Sequence, residues 1–314
     1  ESELFKIAHD DRAGELRAIE DVLHDELDKL ERISREGIAM TGTPTGFTDL
    51  DELTGGLQPG NLVVLAARPS MGKSALVINI AENAAVEHDK PVALFSLEMS
   101  ETELAQRFIA SQSKLNGDDL RKGRVRPDRW PKVVKATEKL ASSPLFIDDS
   151  SDVGILDLRA KARRLHARHE LGLVIVDYLQ LMRAENSSDS RVEQVGQISR
   201  GLKMLARELK VPVIAVSQLS RAVESRNPPK PMLSDLRESG QIEQDADLVM
   251  FIYRDEYYNR DSERPGEADI LVAKHRNGPV GDVVLTFLSR YPKFANMYRE
   301  REFGGAPVDG AVEA

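Results

Sequence analysis

NLVVLAARPSMGKSALVINIAENAAVE, Asn61 to Glu87, is the stretch on which the fold turns. It opens with a short apolar run, passes through a turn of small residues and continues with helical apolar spacing, so it predicts strand, loop and helix in direct succession. ARPSMGKS at Ala67 to Ser74 then lies where a phosphate-binding loop must lie. Backbone N–H groups of the loop and the N-terminus of the helix can wrap phosphate oxygens, the Lys73 ammonium can reach the β- and γ-phosphates, and the Ser74 hydroxyl can ligate Mg²⁺. Gly72 permits close approach of the backbone, and Ser70 and Ala75 complete the residues expected at the nucleotide. The first glycine of the usual pattern is Ala67 here. Gly-Lys-Ser strings also occur in ordinary turns; the strand before and the helix after argue for the nucleotide.

Outward from this stretch, apolar runs alternate with helical patterns: PVALFS then ETELAQRFIASQSKL, LVIVDYL then VEQVGQISRGLKMLARELK, and VPVIAVSQ. Such alternation means βαβ units and a parallel sheet covered on both faces. DLVMFIY, ADILVAK and GDVVLTF lack long helices between them and predict an antiparallel extension at the sheet edge. Parallel strands present ligands at their carboxyl ends, and three further candidates fall there. Asp177, ending LVIVD, is placed as the acid that holds Mg²⁺, with helix capping as its other reading. Glu98, in ALFSLEMS, is placed to orient and deprotonate water at the γ-phosphate, or else to cap the next helix. Gln218 ends VPVIAVSQ, where a neutral amide can sense the γ-phosphate and relay its loss to the adjoining loop.

The 314 residues allow one large α/β domain with appendages or two small ones. Lys and Arg number 43 against 52 Asp and Glu, a net charge of −9, which excludes a chain coated in positive charge for duplex binding. Nucleic acid must therefore meet a local patch. The absence of cysteine excludes disulfides, thiolate zinc sites and a Cys nucleophile. No apolar run reaches the roughly 18 residues of a membrane span. The acidic opening ESELFKIAHDD is unlike a signal peptide, so a soluble cytoplasmic protein without a membrane partner is expected. Glu1 in place of an initiator Met predicts a trimmed chain.

From Gly14 to Glu36, apolar Leu16, Ile19, Val22, Leu23, Leu27, Leu30 and Ile33 fall between charges as one stripe of an amphipathic helix that needs a partner. TGTPTGF and TGGLQPG, between Gly37 and Gly60, are turn chemistry that separates this helix from the first apolar run at Asn61. Three regions are expected: a linker helix within 1–36, an α/β domain over 37–302 and a loose tail over 303–314.

TGFTDLDELTGGLQPG, ARPSMGKS, SLEMS, DYLQLM, SQLSR, LRESGQIEQDAD and KHRNGP occur in that order. Through them the chain, roughly Thr41 to Glu302, resembles the C-terminal motor domain of bacterial replicative DNA helicases of the DnaB family, with a RecA-like P-loop ATPase core. The resemblance implies ATP and Mg²⁺ as cofactors, Glu98 as catalytic base, Asp177 as the Mg²⁺ acid, Gln218 as sensor and Arg107 among the nucleotide contacts. Lys274, His275 and Arg276 follow the strand ADILVA, where residues alone suggest a solvated turn; the resemblance instead implies that Lys274 and Arg276 reach the γ-phosphate of an adjacent subunit.

Two segments are candidates for single-stranded DNA, Arg183 to Arg191 and Arg221 to Asp245. The resemblance points to Arg237, Glu238 and Gly240 as backbone contacts, with sequence-independent phosphate tracking rather than base stacking expected. It further implies a homo-hexamer with ATP sites between subunits, 5′–3′ movement, and primase and a helicase loader as partners, weakened by an N-terminal domain that this sequence lacks. RKGRVRPDRWPKVVK, Arg121 to Lys135, reads as a solvated helical face with Trp130 buried. His166 and His169 have no third ligand nearby in sequence, and Asp148 and Asp149 are expected to end a strand and cap a helix. The rival readings are a RecA-type recombinase or regulatory ATPase that forms nucleoprotein filaments, and a scaffold in which nucleotide only fastens subunits.

Overall fold

The structure, a computed structural model, describes residue 16 and residues 18–36, 40–184, 189–291 and 293–297. The tail expected over 303–314 lies outside the described residues. Contacts divide the chain into two units, Glu1–Thr41 and Gly42–Ala314.

In the first unit, helix α1 spans Ile19–Glu36, with Glu20 and Asp21 in its first turn and Arg35 in its last, a charge order that suits the helix dipole. Leu16 precedes the helix rather than starting its stripe. Ile19, Val22, Leu23, Leu27 and Leu30 are all exposed. The side chain of Ile33 lies outside the described residues.

The second unit is built on one nine-stranded sheet in the order β3-β2-β4-β5-β1-β6-β7-β8-β9. The strands are β1 Leu62–Ala67, β2 Val92–Ser96, β3 Leu145–Asp148, β4 Leu173–Asp177, β5 Val213–Gln218, β6 Leu248–Tyr253, β7 Glu267–His275, β8 Gly281–Leu288 and β9 Lys293–Asn296. Every residue of β1 is buried, with parallel partners in β5 on one side and β6 on the other. Its side chains divide by parity, as a pleated strand requires. Val63 and Leu65 pack on the face holding Leu76, Leu104 and Phe108, whereas Leu62, Val64 and Ala66 pack on the face holding Ile155, Leu158, Ile198 and Leu202.

The helices of the second unit are α2 Thr48–Thr54, α3 Lys73–Glu82, α4 Glu101–Ser113, α5 Gly117–Arg121, α6 Trp130–Ala141, α7 Ile155–His169, α8 Arg191–Leu209, α9 Gly240–Asp245 and α10 Asp255–Tyr258. Capping boxes start two of them, Ser100 with Glu103 on α4 and Ser190 with Glu193 on α8. Asp149 adds an acceptor for the Glu101 N–H at 3.0 Å, and Asp148 ends β3.

Two sequence expectations need correction. DLVMFIY is part of the parallel sheet, since β6 pairs parallel with β1, and only β7, β8 and β9 are antiparallel. The connection from β5 has no long helix but still returns the chain to the starting edge through short turns and α9. Trp130 is 51% exposed. The buried stripe of α6 runs through Val133, Ala136 and partly buried Leu140, and at 100° per residue Trp130 and Val134 stand on its flank. The turn-rich segment before β1, within the domain expected from residue 37, packs into the core. Thr43 bridges to Leu57, and Asp51 accepts from the Thr45 N–H at 2.9 Å, the Thr45 hydroxyl at 2.7 Å and the Gly46 N–H at 3.0 Å. Phe47, Leu50 and Leu57 are each at most 1% exposed.

Phe47→Ala should therefore cost about 3–5 kcal/mol of unfolding free energy in a urea titration. A loss below about 1 kcal/mol would mean that the segment before β1 is a loose spacer.

Candidate active site

Because β2, β4, β5 and β1 run parallel as neighbours, their carboxyl ends meet at one edge. Register fixes the neighbours there: Ala67 lies beside Gln218, and Ser96 beside Asp177. The Leu97 N–H donates to the Asp177 carbonyl at 2.7 Å, which carries the pairing one residue past β2 and sets Glu98 next to the edge. Ala67 is fully buried inside β1, so the position where the usual motif has glycine is here a strand residue without need of glycine's freedom.

The turn proper runs from Arg68 to Gly72. Ser70 has φ 64° and Gly72 has φ 103°, and Gly72 caps α3 without a side chain, which leaves the first N–H groups of the helix unclaimed by any cap. Lys73 points back to the Arg68 carbonyl at 3.5 Å. Burial lowers the Lys73 pKa, an effect opposed by the negative charges of Asp177 and Glu98 and reinforced by Arg68. Burial raises the Asp177 pKa, a hydrogen bond from Ser74 lowers it, Glu98 raises it, and Lys73 and Arg107 lower it. These mutual influences describe one cluster at the mouth of the loop: the cations Lys73, Arg68 and Arg107 with the carboxylates Asp177 and Glu98. Asp177 is 3% exposed, and its Oδ1 has no hydrogen-bond partner. Glu98 and Arg107 are exposed, Ala75 is buried, and the capping alternative for Glu98 falls away because Ser100 fills that role.

Sequence reasoning missed the frame of this loop. Buried Arg68 donates through Nε to Glu224 at 2.8 Å and through Nη1 to the Leu219 carbonyl at 2.8 Å, tying the loop to the turn after β5. Gln180 donates to the Ser217 hydroxyl at 2.8 Å and accepts from the Gln218 N–H at 3.3 Å, so the base of Gln218 is held while its side chain stays exposed. Phe294 of β9 comes so close that a Cβ on Gly72 would stand 3.0 Å from its ring. The Phe287 ring is 4.9 Å from that of Phe294, and the Arg254 guanidinium lies 4.0 Å over Phe287. Only Arg68 had a sequence signal, its place inside the motif.

Lys274, His275 and Arg276 lie at the other end of the sheet, since β7 is antiparallel to β6 and pairs His275 with Leu248, the first residue of β6. Lys274 Nζ donates to the Glu243 carbonyl at 2.6 Å, Arg276 Nη2 to the Gln244 carbonyl, and the His275 ring meets the Pro279 carbonyl at 3.1 Å. Burial lowers the Lys274 pKa, with Arg276 adding to the effect and Glu243 opposing it. Of the DNA candidates, the side chains of Arg237 and Glu238 lie outside the described residues. Gly240 opens α9, is exposed, and has nothing within 4 Å of a Cβ built on it. Arg183 is bound to Asp152 at 2.9 Å and Asp157 at 3.0 Å, and Arg191 to the Gln180 carbonyl, exposed contacts that engage the cations at both ends of the other candidate segment within the chain.

Residues 42–296 match the DnaB-like helicase C terminal domain. The chain belongs to the DnaB-like helicase family. It is 45% identical over 306 residues to the replicative DNA helicase DnaB of Geobacillus stearothermophilus, covering 97% of this chain and 67% of that one. With the replicative DNA helicase DnaC of Bacillus subtilis (strain 168) it shares 44% over 308 residues, covering 98% of this chain and 68% of that one. For the DnaB helicase of Haemophilus influenzae the identity is 47%, and the chain spans 61% of that relative's length. A solved ATPase domain superposes with TM-score 0.85 at 40% identity, covering 90% of this chain and 100% of that domain. A DnaB-like replicative helicase, solved with attention to its interactions with primase, gives TM-score 0.81 at 40% identity, covering 95% of this chain and 71% of that one. The nine-stranded, mostly parallel sheet is thus the RecA-like ATPase core of a DnaB-like helicase.

Gly72→Ala should lower nucleotide affinity at least about tenfold, because the loop needs a left-handed residue and the Phe294 ring blocks a methyl group. Isothermal titration with an ATP analogue measures this, and unchanged affinity would separate the loop conformation from binding.

Proposed function

We propose that this chain is the motor of a ring-forming replicative helicase that hydrolyses Mg²⁺-ATP between subunits and moves 5′–3′ along single-stranded DNA in the bacterial cytoplasm. The carrying observation is that Lys73, Ser74, Glu98, Asp177 and Gln218 share one sheet edge while Lys274 and Arg276 occupy the other. Such a protomer has half a hydrolytic site at each edge. The hexamer and the direction of movement rest on the family resemblance.

A divalent cation fits the residues present: Asp177 Oδ1 is buried without a partner, and the Ser74 hydroxyl bonds to the same carboxylate. When bound with ATP, Mg²⁺ neutralises charge that develops on the β- and γ-phosphates. Ser74 and Asp177 hold it, Lys73 and the amides after Gly72 bind phosphate, Glu98 takes the proton of the attacking water, and Gln218 reports the γ-phosphate to the turn after β5. Arg107 adds positive charge from α4. Lys274 and Arg276 of the next subunit complete the charge around the phosphate.

For DNA, Gly240 leaves backbone open to an approaching strand, and Arg237 is the nearby cation for a phosphate, with Glu238 and Glu243 offsetting its charge. For self-assembly, α1 offers an exposed apolar stripe with seven carboxylates against three cations. Residues 121–135 offer exposed Trp130 and Val134 among seven cations and one carboxylate. Charge and apolar surface match, so α1 of one subunit docks on α6 of another, helix on helix. The relative solved with attention to primase supports primase as a partner, and a loader is the family's other expected partner.

Glu98→Gln should keep ATP binding while slowing hydrolysis about 10²–10⁴-fold, because the amide preserves shape but is a poor base. Electron micrographs of this variant with ATP and single-stranded DNA should show closed rings or their open-helical equivalent on the strand. Equal loss of binding and turnover would reduce Glu98 to a structural residue, and nucleoprotein filaments would favour the recombinase reading. Trp130→Glu should raise the concentration needed for assembly in sedimentation runs, with monomer melting unchanged, because the side chain is exposed within its own subunit.

A further inference from the structure

We propose that Asp247 is the positioning residue that aims Lys274 and Arg276 at the nucleotide of the next subunit. The inference rests on the reading of those two cations as acting in trans. Asp247 is 5% exposed and lies between α9 and β6, at the sheet edge away from the phosphate loop. Its backbone joins two strands at once: its N–H donates to the Leu62 carbonyl at 2.9 Å, and its carbonyl accepts from the Arg276 N–H at 2.8 Å.

The carboxylate is divided in its duties. Oδ2 accepts from the Leu62 N–H at 2.8 Å and from the Lys203 ammonium, and Lys203 is itself held by the Gly60 carbonyl at 2.9 Å. Those contacts bind the carboxylate to the start of β1 and to α8, so it cannot swing away. Oδ1 is turned to the Arg276 guanidinium at 3.8 Å, an ion-pair distance too long for a hydrogen bond. Charge therefore orients the guanidinium without consuming its N–H groups.

The remaining donors rest on the last turn of α9, Arg276 on the Gln244 carbonyl and Lys274 on the Glu243 carbonyl at 2.6 Å. Helix-terminal carbonyls carry only partial negative charge, so a phosphate competes well for both cations. The fixed carboxylate keeps hold while the carbonyls are exchanged. Arg276 thus pivots about Asp247, and its reach is set by a residue tied to the first residue of the strand that ends in the phosphate loop.

Mixed rings provide the test, with ATP, Mg²⁺ and single-stranded DNA present. Alone, Asp247→Asn should lower kcat about 10²-fold, the scale of a misplacement of about 1 Å, with KM for ATP unchanged. Mixed with Lys73→Ala, whose own loop is dead but whose Arg276 is intact, it should regain turnover, because its sound loops now receive aimed cations from neighbours. Arg276→Ala mixed with Lys73→Ala is the control for action in trans; failure of that pair to regain turnover overturns the trans reading and the inference with it. Recovery in the control without recovery for Asp247→Asn, or a raised KM in Asp247→Asn alone, overturns the role of Asp247 and leaves the trans reading standing. If Asp247→Asn does not fold, Asp247→Asn with Lys203→Met removes the buried ion pair together and should give the same kcat loss and the same recovery.

Discussion

Everything in the second unit depends on β1 being buried on both faces and hydrogen-bonded in parallel on both sides. A strand so placed can carry only apolar side chains, and LVVLAA does. Its polar obligations are then pushed past its end, into the turn from Arg68 to Gly72. Because β5, β4 and β2 are buried in the same way, Gln218, Asp177 and Glu98 arrive at the same edge, with only the small buried hydroxyls of Ser217 and Ser96 before them on β5 and β2. Hydrophobic burial thereby assembles a polar cluster from segments more than a hundred residues apart.

The antiparallel strands serve that cluster from behind. Phe294 packs on Gly72, and the Phe294 N–H donates to Asn79 of α3 at 2.8 Å. Farther along α3, Glu82 is 1% exposed and accepts from the Ser111 hydroxyl at 2.6 Å, from Gln112 at 2.5 Å and from Lys293 at 3.2 Å. Loop, helix and last strand are thus one packed object, and a buried carboxylate with three donors is what ties α3, α4 and β9 together.

The sheet and the edge residues were legible because their signals are local: an apolar run, then a polar residue of the right kind within a few positions. Lys73, Asp177 and Gln218 each follow such a run, and the structure sets them together as the alternation of runs and helices requires. The direction of β6 was not legible, because it depends on a connection whose short turns carry no periodic pattern. Nor was the exposure of Trp130, since helical spacing places it a quarter turn from the stripe and leaves packing to decide. Phe294 and Asp247 were not singled out for a simpler reason: each acts on a partner far along the chain, Gly72 and Leu62 respectively, and although Asp247 closes LRESGQIEQDAD, its residue type alone announces no role there.

The reversal between β6 and β7 has a consequence for symmetry. If Lys274 and Arg276 act in trans as proposed, receiving groups stand at one edge of the protomer and donated groups at the other, so a two-fold dimer, which sets like surfaces face to face, cannot satisfy both. On that proposal the contact is head-to-tail, and each added copy leaves one unfilled acceptor and one unused donor at the ends. Whether the series closes or runs on as a helix is then decided by the rotation between neighbours alone. On the same proposal, a change in that rotation would convert a closed circle into an open turn whose gap is one incomplete site.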